Sequence, residues 1–231
     1  VKPRTELIRP LPELLRENAR CLSGKIAFQD RHSSVTYGEL ELRTGRLAGH
    51  LAGLGLRHGE RVAVLLGNRV EAVESLLAVT RAAAVGVPLD PRSSDAELAH
   101  MLDDSGARVV FTDRSHLAQL RPLLPERPHL TVVRVADAGT DSGTRGVTTT
   151  AGTAGTAADT ARTVGYEDMA TTAPPVPAAD DLGLDEVAWL LYTSGSTGTP
   201  KGVLSTQRNR LSSVASSLVS VLGMSADDRL L

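Results

Sequence analysis

The sequence predicts an α/β fold in which a mainly parallel sheet is flanked by helices. Continuous apolar runs such as Arg61-Val62-Ala63-Val64-Leu65-Leu66 and Ala107-Arg108-Val109-Val110-Phe111 read as strands buried on both faces, the habit of parallel sheets. Between them stand segments with apolar residues at helical spacing. Regular alternation of the two calls for parallel pairing through helical crossovers.

In chain order, residues 5–20 read as a short helix interrupted by Pro10 and Pro12. Residues 25–28 form a strand, and residues 30–34 a turn. A helix over 36–54 follows from the spacing of Leu40, Leu47, Leu51 and Leu54, with Gly55 and Gly59 ending it. Thr36 followed by Glu39 has the form of a capping box. After the strand 61–66, Gly67-Asn68 turns the chain into an Ala/Leu/Val-rich helix over 70–84 with Glu71, Glu74 and Arg81 exposed. Strand 85–89, helix 95–105 capped by Ser94, strand 107–111, helix 116–124 and strand 130–135 complete the alternation. Residues 137–164 break the pattern. Thr, Ala and Gly dominate them, and such a stretch buries too little apolar surface to offset its ordering entropy. They are expected to be a disordered insertion. Beyond Pro174, Pro175 and Pro177 come the loop charges Asp180-Asp181, the apolar strand Val187-Ala188-Trp189-Leu190-Leu191, a further short strand at 203–206, and a half-buried helix over 211–222.

Composition removes several classes of function. A net charge of −2 leaves no basic footprint for nucleic acid, and 3% aromatics leave no stacking platform. The single Cys21 excludes an internal disulfide and reads as a small buried hydrophobe. The six histidines are scattered without metal-ligand spacing, so no metal ligands are assigned. Asp103-Asp104 reads as a solvated helix face. No apolar stretch reaches membrane-spanning length and no signal peptide opens the chain, which leads to the expectation of a cytoplasmic protein without membrane contact.

The chemistry concentrates in Leu191-Tyr192-Thr193-Ser194-Gly195-Ser196-Thr197-Gly198-Thr199-Pro200-Lys201-Gly202. Small residues let a backbone curl around a ligand, and the N–H and hydroxyl groups of such a loop are donors to phosphate oxygens. Of the 25 Lys and Arg residues only Lys2, Lys25 and Lys201 are lysines, so a compact, mobile ammonium stands at this loop in a chain that otherwise uses arginine. The P-loop pattern fails here, because Pro200 and Gly202 fall where it needs Gly and Ser/Thr and because a strand follows instead of a helix. The Rossmann glycine pattern is also absent. The loop is therefore a strand–loop–strand phosphate grip.

That string resembles the signature loop of the AMP-forming, adenylate-forming superfamily, which includes acyl-CoA synthetases and the adenylation and loading domains of peptide and polyketide assembly lines. Val35-Thr36-Tyr37-Gly38-Glu39-Leu40 and Val87-Pro88-Leu89-Asp90-Pro91 resemble two further family elements in the expected order. There are departures: Arg81-Ala82-Ala83-Ala84-Val85-Gly86 differs from the usual glycine-rich element, and Gln207 stands where many members carry His. The resemblance implies the N-terminal part of the large ligase lobe and makes 1–231 an incomplete N-terminal part of an adenylation domain. The acid pocket, the metal-binding glutamate, the ribose-binding aspartate and a mobile lobe with its own lysine would lie later. It also implies ATP with Mg2+, a carboxylic acid substrate, and coenzyme A or the phosphopantetheine of a carrier-protein domain as acceptor. Thr193, Ser194, Ser196 and Thr197 would give hydroxyls to ATP phosphates, Gly195 and Gly198 would admit backbone N–H groups, and Lys201 would neutralise the departing pyrophosphate. The rival readings are a non-catalytic ATP-binding module and a structural α/β domain with a Gly/Ser hairpin.

Overall fold

The computed structural model describes residues 5–136, 162–193, 198–225 and 228. The first helix, α1 (Leu11–Cys21), is started by its prolines instead of interrupted by them. Pro12 lies in the first turn, where a missing N–H leaves no hydrogen bond unmade. Cys21, the last residue of α1, is exposed, contrary to the sequence expectation. A small antiparallel hairpin of β1 (Ile26–Gln29) and β2 (Ser34–Thr36) leads into α2 (Tyr37–Gly53). The Thr36/Glu39 capping box forms at the start of α2, with the Glu39 N–H donating to Thr36 Oγ1 and the Glu39 carboxylate accepting from the Thr36 N–H.

The main sheet contains β3 (Arg61–Leu65), β4 (Val85–Pro88), β5 (Val109–Asp113), β6 (Thr131–Val135), β7 (Thr163–Gly165), β8 (Val187–Thr193) and β9 (Lys201–Thr206). Their order is β7-β6-β5-β3-β4-β8-β9. Every neighbouring pair is parallel except β8–β9, which is antiparallel. Alternate residues of each strand serve opposite faces. Val62, Val64, Val109 and Phe111 pack with Leu47 and Leu51 of α2, with Val79 of α3 (Val70–Arg81) and with Met169 of α6 (Tyr166–Thr171). Ala63, Leu65, Val110 and Val132 pack on the other face with Leu98 and Met101 of α4 (Asp95–Ser105) and Leu120 of α5 (Arg114–Leu120). The chain steps from β3 to β4 on one side and then crosses to β5 on the other, so the order reverses at β3.

Several expectations are corrected in detail. The expected helix 116–124 divides into α5, capped by Asp113, and a 3₁₀ turn that begins at Arg121 and Pro122. The last helix begins earlier, as α7 (Gln207–Ser213) capped by Thr206, and continues as a π-helical turn over Val214–Val219. Of the expected insertion 137–164, residues 137–161 lie outside the described residues. Its last two residues, Thr163 and Val164, belong instead to β7, where both pair with β6 and Val164 packs on the core.

Glu74 and Arg81, expected on the solvent face of α3, are buried. The Glu74 carboxylate accepts from Arg43 Nε at 2.6 Å and Nη2 at 3.1 Å and from the Tyr166 hydroxyl at 2.7 Å. Arg81 donates to both carboxylate oxygens of Asp180, at 2.8 and 3.0 Å, and to Glu41 and Thr44 of α2. Asp180 is thus an anchor for Arg81 more than a free loop charge. Paired and hydrogen-bonded in this way, the charges are tolerated inside.

Candidate functional site

β8 enters the sheet parallel to β4, with Gly86 opposite Trp189, and ends with Thr193 at the carboxyl edge of the parallel strands. This edge is where open α/β sheets hold ligands. β9 returns antiparallel, pairing Tyr192 with Gly202 and Thr193 with Lys201. The strand–loop–strand path expected in place of a P-loop is therefore the one observed. A Cβ at Gly202 would stand 2.8 Å from Leu190 Cδ1, so a larger residue there would push the Leu190 side chain aside.

Of the expected phosphate-binding residues, Ser194, Gly195, Ser196 and Thr197 lie outside the described residues. Thr193, Gly198 and Lys201 are exposed. Gly198 has φ +84° with open space where a Cβ would project, a conformation that favours glycine. Lys201 makes no ion pair among the described residues and faces Thr193 across the hairpin. A hydroxyl and an ammonium without an ion-pair partner among the described residues, opposite one another at the strand ends, suit an anionic ligand.

Gln207 does not face this hairpin's mouth. It is fully buried, accepts from the Leu11 N–H at 2.7 Å and donates to the Leu182 carbonyl at 2.9 Å. Its amide ties α7 to the start of α1 and to the segment ahead of β8.

Two residues on α4 touch the hairpin and were not found by sequence reasoning. Asp104 Oδ2 accepts from the Tyr192 hydroxyl at 2.6 Å, and His100 Nε2 lies 3.1 Å from the Pro200 carbonyl oxygen. The His100 and Tyr192 rings meet edge to face with centroids 6.4 Å apart. Burial, and then Asp104, raise the pKa of the Tyr192 hydroxyl. The i,i+4 spacing of His100 and Asp104 was visible in the sequence, but nothing local linked it to the loop.

A cleft of about 890 Å³ opens at the carboxyl ends of β3 and β4, lined among others by Leu66, Asn68, Arg69, Leu89 and Asp90. None of the described hairpin residues lines it. Arg92 holds the Asp90 carboxyl down at about 2. Among the described residues no three His, Cys, Asp or Glu side chains cluster as metal ligands would, and no helix is long and apolar enough to cross a membrane.

A mostly parallel sheet flanked by helices, with the β8–β9 hairpin at its carboxyl edge, defines the class as α/β proteins. Within that class, this chain belongs to the AMP-binding enzyme family, whose model matches residues 15–231. It is 40% identical over 228 residues to a chalcone synthase of Aspergillus candidus, covering 98% of this chain and 8% of that protein. It is 35% identical over 195 residues to a phosphinothricin tripeptide synthetase of Streptomyces viridochromogenes, covering 84% of this chain and 14% of that protein. Among solved structures, o-succinylbenzoate coenzyme A synthetase from Bacillus subtilis in complex with AMP superposes with a TM-score of 0.68 at 26% identity, covering 96% of this chain and 48% of that one. The chain thus spans less than half the length of each of these relatives.

Proposed function

We propose that the protein acts in ATP-dependent activation of a carboxylic acid to an acyl-adenylate, followed by transfer to a thiol. The observation that carries this is Lys201, exposed and unpaired among the described residues, opposite Thr193 on the carboxyl edge of the sheet. In this reading the hairpin grips the triphosphate of magnesium-bound ATP. The hydroxyls of Thr193, Ser194, Ser196 and Thr197, and N–H groups admitted by Gly195 and Gly198, donate to phosphate oxygens. The acid's carboxylate attacks the α-phosphate, and negative charge grows on the pyrophosphate as it leaves. In this reading Lys201 lowers the energy of that charge, and prepositioned donors hold the triphosphate for in-line attack.

The likeness to a coenzyme A synthetase supports coenzyme A as acceptor, and the likeness to a tripeptide synthetase supports the phosphopantetheine of a carrier protein. The second likeness also supports a role in assembly-line synthesis of a peptide or polyketide. Acid-dependent exchange of pyrophosphate into ATP by the full-length gene product tests the reading, scanned across aryl and aliphatic acids. Exchange that Lys201→Ala slows about 10²-fold is expected. Equal exchange in variant and wild type would remove Lys201 from the mechanism.

A further inference from the structure

We infer that His100 and Asp104 are positioning residues that brace the two shoulders of the β8–β9 hairpin and so fix where Lys201 stands, an inference that rests on the adenylation reading for its catalytic consequence. The two residues lie one turn apart on α4, so both project from the same face of that helix. Asp104 holds the outgoing strand through the Tyr192 hydroxyl at 2.6 Å. His100 holds the returning strand through the Pro200 carbonyl at 3.1 Å. A carbonyl only accepts, so Nε2 carries the hydrogen in this bond. The edge-to-face contact between His100 and Tyr192 joins the two braces into one unit.

The location of the braces gives them their effect. Pro200 directly precedes Lys201, and the Pro200 carbonyl shares its peptide plane with the Lys201 nitrogen. Tyr192 directly precedes Thr193, the cross-strand partner of Lys201. β9 is an edge strand, and its residues Lys201 to Leu204 are exposed. A strand so thinly covered has little packing of its own to hold it in one place. α4, by contrast, is seated in the core through Leu98, Met101 and Leu102 and is capped at its start by Ser94. The braces pass the rigidity of that helix to an otherwise exposed hairpin. A lysine that acts on developing charge loses most of its effect when displaced by about 1 Å.

Selective ¹⁵N labelling of lysine tests the brace directly, because the chain has only Lys2, Lys25 and Lys201. Lys201→Arg assigns the Lys201 amide signal by its disappearance. His100→Ala combined with Asp104→Ala is expected to shift and broaden the Lys201 amide while that of Lys25 stays fixed, the latter showing that the fold is kept. An unmoved Lys201 amide would overturn the inference. In pyrophosphate exchange by the full-length product, Asp104→Ala is expected to lower kcat about tenfold with the KM for the acid unchanged. Asp104→Asn, which keeps an acceptor for the Tyr192 hydroxyl, restores the rate. In a Lys201→Ala background Asp104→Ala has no further effect, whereas a purely structural role would give the same loss in both backgrounds and would overturn the inference. The amide measurement decides the brace even if the wild type exchanges no pyrophosphate, an outcome that would count against adenylation alone.

Discussion

Arg43 and Arg81 on one side of the sheet, and Lys201 at its edge, are cations in opposite surroundings. Arg43 bridges Glu74 and Glu167, and Arg81 bridges Asp180 and Glu41. Burial alone would make these guanidiniums easier to deprotonate, but their carboxylate partners outweigh it and raise both pKa values. Every charge there is answered within the chain. Lys201 has no ion-pair partner among the described residues and stands exposed beside Thr193. The arginine networks tie α2, α3 and α6 together, and Asp180 also accepts from Arg16 of α1 at 2.7 Å, whereas Lys201 has no such tie among the described residues. The choice of residue follows: a planar fork suits bidentate internal pairing, and a compact ammonium on a flexible stem suits a charge that moves during a reaction.

The contrast predicts that function and stability separate between the two regions. The largest effect is that of Lys201→Ala, with about a 10²-fold loss of pyrophosphate exchange and a urea midpoint close to wild type. Next is Glu74→Ala, which leaves the Tyr166 hydroxyl and part of Arg43 without a partner inside and lowers stability by about 3 kcal/mol in urea unfolding. Its KM for ATP, measured well below the melting temperature, is expected to be unchanged. A raised KM in that variant would break the division between the regions.

A smaller effect belongs to Tyr166, whose hydroxyl pKa is raised by burial and then by Glu74. A raised folded-state pKa gives stability that is fully present below the unfolded value of about 10 and is lost as pH rises beyond it. Tyr166→Phe should therefore cost about 1 kcal/mol at neutral pH and flatten the alkaline decline seen by urea titration above about pH 10. The smallest effect is expected at the exposed Arg208–Asp185 pair, where Arg208→Ala leaves the urea midpoint unmoved.

Much of this fold was legible because it is local. Leu40, Leu47 and Leu51 recur at helical spacing, and Thr36 and Ser94 each precede a glutamate three residues on, so α2 and α4 could be bounded closely. The parallel strands showed themselves as unbroken apolar runs. What stayed hidden depends on distant partners. Glu74 reads as a solvent residue until Arg43 and Tyr166, 31 and 92 positions away, are brought to it. Asp180 reads as a loop charge until it meets Arg81, 99 positions away. The same holds for the site. Lys201 and the hydroxyl string stand out in the sequence by composition and order, whereas His100 and Asp104 contact a hairpin about 90 to 100 positions further along. Cys21 was misplaced because burial statistics for cysteine say nothing about which side of a helix end faces out.

Labelling with an acyl-phosphate derivative of ATP tests directly whether the β8–β9 hairpin receives the triphosphate of ATP. A lysine amine close to the bound triphosphate attacks the acyl carbon, ATP leaves, and peptide mass mapping shows whether Lys2, Lys25 or Lys201 is acylated. Acylation of Lys201 that excess ATP suppresses is expected, with Lys2 and Lys25 labelled only at the background level. Equal labelling of all three lysines, or labelling of Lys201 indifferent to ATP, would contradict it.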